Sequence, residues 1–109
     1  MKIGFVSAIL QNYGFEQVVD FATAQGFSCM EVACWPKGKA ERRYAGVTHI
    51  DVDALDDGTA AHIRQYCAQK GLQISALAYY PNTLDPDVEK RAEVVEHLKK
   101  VIVASRRLG

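Results

Sequence analysis

Three short runs of mostly apolar residues punctuate the chain: Ile3-Gly4-Phe5-Val6-Ser7, Cys29-Met30-Glu31-Val32-Ala33-Cys34 and Ile74-Ser75-Ala76-Leu77-Ala78-Tyr79. None alternates apolar with polar, as a strand with one solvated face would. Runs of this kind predict strands buried on both faces, which belong to parallel sheets covered by helices. Between the runs the period changes. Phe15, Val18, Val19 and Ala22 recur at i, i+3, i+4 and i+7, with Glu16, Gln17 and Asp20 on the other side. That spacing predicts an amphipathic helix. Ala60, Ile63 and Cys67 repeat it more weakly.

A third helix is the clearest. Asp85 is a good N-cap, and Pro86 fits the first helical position, where its missing N–H costs nothing. Val94, Val95, Leu98, Val101, Ile102 and Ser105 form the expected inward stripe. Asp87/Arg91 and Glu96/Lys100 are favourable i, i+4 pairs, each worth roughly 0.2–0.5 kcal/mol. Arg106 and Arg107 suit the negative end of the helix dipole.

The segments end alike. Ala24-Gln25-Gly26-Phe27 closes the first helix and Gln69-Lys70-Gly71-Leu72 the second, each glycine supplying a left-handed terminating position before a strand. Arg106-Arg107-Leu108-Gly109 repeats the punctuation. The expected order is β-α-β-α-β-α with right-handed crossovers. Three such units would leave two open edges and one uncovered apolar face. A (β/α)8 barrel needs about 250 residues, so 109 would hold about three and a half units. The expectation is therefore the N-terminal three β/α units of a (β/α)8 TIM barrel over residues 1–109, with helices outside and the remaining units absent. A small, complete three-layer α/β domain is the alternative.

Composition narrows the partners. With 49% hydrophobic and 24% charged residues the chain is of globular type, which excludes wholesale disorder. Thirteen basic against thirteen acidic residues leave no net field for nucleic acid or an anionic membrane. No apolar run approaches the roughly 18 residues of a membrane span, and Met1 to Leu10 lacks the small-x-small site of a signal peptide. Cys29, Cys34 and Cys67 are odd in number and without CxxC spacing, which points to reduced, buried thiols in a cytoplasmic protein.

In a parallel barrel, chemistry sits at the C-terminal ends of the strands. That rule selects Ser7 to Asn12, Cys34 to His49 and Tyr79 to Asn82. Glu31 is a carboxylate inside an apolar strand, so it needs a partner or a role. It can orient a substrate hydroxyl, or it is a structural carboxylate bonded to a neighbouring strand. Lys37, Lys39, Arg42 and Arg43 crowd the long loop beside Trp35, which fits a phosphate grip, a polyol contact or a solvated loop. Tyr79-Tyr80-Pro81-Asn82 offers rings, hydroxyls and an amide, a surface suited to sugars or to plain strand-end packing. His62 and His97 lie in helices as solvent-facing or packing residues, while His49 follows the long loop within reach of a site. No HExxH, GxGxxG, Walker A or GxSxG motif occurs, and no hydrolytic triad can be assembled.

Several stretches taken together resemble the sugar phosphate isomerase/epimerase family of xylose isomerase-like TIM barrels. They are Met1 to Ser7, Met30-Glu31-Val32 through Cys34-Trp35-Pro36, Gly38 to Gly46, Thr48-His49-Ile50-Asp51-Val52, and Ser75 to Asn82 followed by Leu84-Asp85-Pro86-Asp87. The resemblance implies a divalent metal (Mn, Co or Mg) in a full-length parent, held by two Glu, an Asp and a His from later strands. It implies proton transfer next to a carbonyl of a sugar or sugar phosphate. No metal-ligand or catalytic position of that pattern falls in this chain, so none is expected to be bound here. Glu31, Trp35, His49, Tyr79 and Asn82 match the substrate-side wall. Two other readings stand beside it: a stand-alone α/β module binding a polyol or a partner, and an endonuclease-IV-like DNA repair barrel. The Tyr79-Tyr80 strand end, without histidine, speaks against the last. Substrate, reaction outcome and the parent's oligomeric state stay open.

Overall fold

A computed structural model describes residues 1–38 and 45–109. Lys39, Arg42 and Arg43 of the basic loop lie outside the described residues. The elements run β1 (Gly4–Val6), a 3-10 turn at Ser7–Ile9, α1 (Phe15–Ala24), β2 (Cys29–Ala33), α2 (Asp57–Lys70), β3 (Gln73–Ala78) and α3 (Val88–Leu108). The strands form one parallel sheet in the order β1-β2-β3. Three β/α units thus follow one another as the repeated strand, helix and glycine stop require. Gly26 and Gly71 take φ of 84° and 68° at the ends of α1 and α2, the left-handed turn that returns the chain to the sheet.

All three helices pack on one face of the sheet. Met30 and Val32 of β2 are fully buried among Val18, Val19 and Ala22 of α1 and Ile63 and Cys67 of α2, with Val101 and Ala104 of α3 in the same cluster. Alternation along β2 sends Cys29, Glu31 and Ala33 to the other face. There Val6 and Ala76 flank Glu31 in register, and both are exposed. Burial on both faces, expected of every strand, therefore holds only for β2. The two edge strands carry exposed positions, because no layer covers the second face of the sheet among the described residues.

α3 departs from its reading in three ways. It starts at Val88, not at Pro86. Asp87 is the N-cap, its side chain accepting from the Glu89 and Lys90 amides at 3.0 and 3.3 Å. Asp85 instead accepts from Asp87 N–H, building the turn that precedes the helix. The inward stripe runs His97, Val101 and Ala104, so Ile102 and Ser105 turn outward. Lys100 pairs with Asp53 at 2.6 Å across to the β2–α2 connection, and Glu96 pairs with Lys99. With Arg107–Asp57 at 2.6 Å, these ion pairs tie α3 to the acidic run that precedes and opens α2.

Candidate functional site

Ser7, Ala33 and Tyr79 mark the C-terminal ends of the three strands, and the site is built there. β1 ends because Ser7 enters the 3-10 turn, where its hydroxyl takes over from the backbone ladder. Ser7 Oγ accepts from Ala33 N–H at 2.9 Å and lies 2.7 Å from His49 Nδ1. The other ring nitrogen, Nε2, sits 3.1 Å from the Leu10 carbonyl oxygen. A carbonyl only accepts, so Nε2 carries the proton and Nδ1 receives the Ser7 hydroxyl. Burial pushes the imidazole below its ordinary value of 6.5, with backbone bonds to Leu10 and Tyr13 pulling the other way.

His49 is held there by backbone as well. The connection from β2 to α2 leaves at Cys34 and comes back at Thr48, where the two form an antiparallel bridge. Trp35 N–H donates to the Val47 carbonyl at 3.3 Å and His49 N–H to the Ala33 carbonyl at 2.9 Å. The long loop is therefore a closed excursion anchored at its base on β2. Lys37, on its outgoing leg, pairs with Asp51 at 3.1 Å.

The five residues singled out in the sequence divide into separate settings. Glu31 stands in the middle of β2 on the uncovered face, with Oε1 shut off from solvent and without a hydrogen-bond partner among the described residues. Trp35 and Tyr79 meet edge to face at 5.0 Å, and Tyr79 meets His97 of α3 at 4.6 Å. His97 Nε2 donates to the Cys34 carbonyl at 2.7 Å, so this aromatic group braces the helix side of the strand ends. Tyr80, next along, is the exposed ring. Asn82 is exposed and its side chain accepts from Leu84 N–H at 3.0 Å, fixing the turn before α3. His49 joins Ser7, not Glu31. Ser7 lay inside the strand-end span that sequence selected, yet nothing in the local sequence linked it to a histidine 42 positions away.

Cavities adjoin these groups, a small one of about 260 Å3 beside Trp35 and Tyr79 and two larger ones. One of about 540 Å3 lies between Gln11 and Asn12 of the β1–α1 loop and the two legs of the long loop, Lys37 and Gly38 on one and Ala45 to Thr48 on the other. Another of about 470 Å3 opens between the first turns of α1 and α2, with His49 in its wall. Among the described residues, no three His, Cys, Asp or Glu side chains gather where they could hold one metal ion. No helix of the described residues is long and apolar enough to cross a membrane.

A parallel sheet with its helices on one face and polar groups at the strand ends is consistent with units of a β/α barrel. The chain belongs to the xylose isomerase-like TIM barrel family, whose model matches residues 19–109. Comparison with curated proteins gave no match.

Proposed function

We propose that these three β/α units form the substrate-side wall of a metal-dependent sugar or sugar phosphate isomerase/epimerase. Such a protein moves a proton at a carbon next to a carbonyl. The observation that supports the reading is Glu31, a carboxylate oxygen buried on the uncovered strand face with no partner among the described residues. An unpaired buried acceptor costs about 1–3 kcal/mol. A sugar hydroxyl is a fitting donor, and a charged acceptor makes that bond stronger than one between neutral groups. Exposed Tyr80 at the end of β3 adds a ring for the apolar C–H face of a sugar.

The divalent Mn, Co or Mg ion of this reading would polarise the sugar carbonyl. The described residues do not make its site. In this reading the metal ligands and the catalytic base come from further β/α units, and residues 1–109 hold the substrate without converting it. Three free cysteines suit a reducing, cytoplasmic compartment.

Solvent isotope exchange tests this division of labour. The 109-residue chain is incubated in deuterated water with Mn2+ and a panel of ketoses and ketose phosphates. The expected result is no deuterium at the carbon beside the carbonyl. Incorporation above a protein-free control would show that the chain carries its own base, against the proposal.

A further inference from the structure

The loops that follow β1 and β2 are joined through one imidazole. Gln11 and Asn12 wall one side of the 540 Å3 cavity, and Val47 and Thr48 belong to the other. Leu10 immediately precedes the first wall and His49 immediately follows the second. His49 grips the first loop twice, through Nε2 on the Leu10 carbonyl and Nδ1 on the Ser7 hydroxyl. Ser7 in turn accepts from Ala33 N–H at the end of β2. Every donor in this chain of bonds has one acceptor, and a second ring proton enters only if the Ser7 bond reverses, with the hydroxyl's remaining lone pair taking Nδ1–H. A proton on Nδ1 would confront the Ser7 O–H and force that hydroxyl to turn away.

The surroundings offer the resulting charge backbone at Leu10 and Tyr13, which burial outweighs, and no carboxylate among the described residues. His49 is only 7% exposed. From β1 and the loop after it come Ser7, Leu10 and Tyr13, all neutral, and from β2 the Ala33 backbone. α1 and α2 bring Glu16 and His62 to the neighbouring cavity, where they bond each other at 2.7 Å. On its own loop, Asp51 is engaged by Lys37. No carboxylate is hydrogen-bonded to the imidazole among the described residues.

We propose that His49 is a pH-operated strap: the neutral ring fixes the spacing of the two loops that wall the polar cavity, and the protonated ring reverses its bond with Ser7, takes away the acceptor of that hydroxyl's proton and loosens Val47–Ile50. Burial of the ring places the change on the acid side of an ordinary histidine.

An NMR titration of the 109-residue chain from about pH 7.5 to about pH 5 spans that window. The His49 ring should titrate with a midpoint below 6.5. The amides of Leu10, Gln11, Val47 and Thr48 should shift with that same midpoint. The His49 and Ile50 amides, which donate to the Ala33 carbonyl, should exchange at least about tenfold faster at the acid end, after correction for intrinsic exchange. His49→Gln should erase the shared midpoint, and His62→Gln should keep it. A ring that titrates without these amides, a ring that stays neutral throughout, or a midpoint that survives in His49→Gln would each overturn the proposal. If His49→Gln does not fold, the wild-type ring and amide curves decide by themselves.

Discussion

At Gly4 a single hydrogen atom lets β1 approach β2. A Cβ there would lie 2.2 Å from the Cys29 carbonyl oxygen and 2.7 Å from its Sγ. Backbone cannot yield that much without opening the strand pair, so Gly4→Ala is expected to cost about 1–3 kcal/mol. Denaturant unfolding reads this as a lower midpoint, and an unchanged midpoint would mean β1 is not held as described. Cys34 makes a second residue-scale case. Burial pushes its thiol up to about 12, which keeps the thiolate scarce at any working pH. Alkylation at about pH 8 should therefore spare Cys34 in the folded chain and reach it only after denaturant is added. Labelling of folded Cys34 at the unfolded rate would contradict the buried position.

At the scale of elements, α3 separates what the sequence could specify from what it could not. Asp85 and Asp87 both have N-cap chemistry, two residues apart around Pro86. Local pattern favours the first, whereas the fold uses Asp85 to shape the turn and Asp87 to cap. Asp87→Ala should cost about 0.5–2 kcal/mol and Asp85→Ala less; the reverse order in thermal melts would restore the sequence-based start. α1 was legible because one unbroken 3.6-residue stripe, Val18, Val19 and Ala22, met one core. The α3 stripe misled because apolar residues surround much of that helix, and His97 is buried by a bond to Cys34 that no local pattern encodes. The anchoring of the long connection was hidden for the same reason. Its base is the Cys34–Thr48 bridge and the Ser7–His49 bond, both formed by residues far apart in sequence. Strand-end spans could be read from sequence, but Tyr79 and Tyr80 could be sorted between helix side and exposed side only once α3 was in place.

For the molecule as a whole, the decisive feature is the face of the sheet that no helix of the described residues covers. Ile3, Val6, Ile102 and Val103 are exposed as well. The 109 residues are expected to fold but to unfold over a broad transition. A sharp, monomeric two-state transition would favour the self-sufficient module instead. Acid should act in two stages. His49 has its folded value lowered below 6.5 by burial, so its contribution is intact above 6.5 and fades as pH falls toward that lowered value. Asp20, held down by the Tyr66 hydroxyl and Lys70, and Asp56, held down by the Thr59 amide, lose theirs only further down. Their ordinary value is 3.8, and stability drains as pH falls through the lower folded ones. A single loss confined to the carboxylate range would remove His49 from this account.

The central claim is that the Glu31 face receives a sugar, and a ligand titration addresses it most directly. Amide shifts of the 109-residue chain are followed as ketose phosphates are added, with Glu31→Gln as the comparison. The account predicts saturable shifts at Val6, Glu31, Ala76 and Tyr80, and an affinity about tenfold weaker, or about 1.4 kcal/mol, in the glutamine variant. Shifts confined to the helix side, or equal affinity with and without the carboxylate, would contradict it.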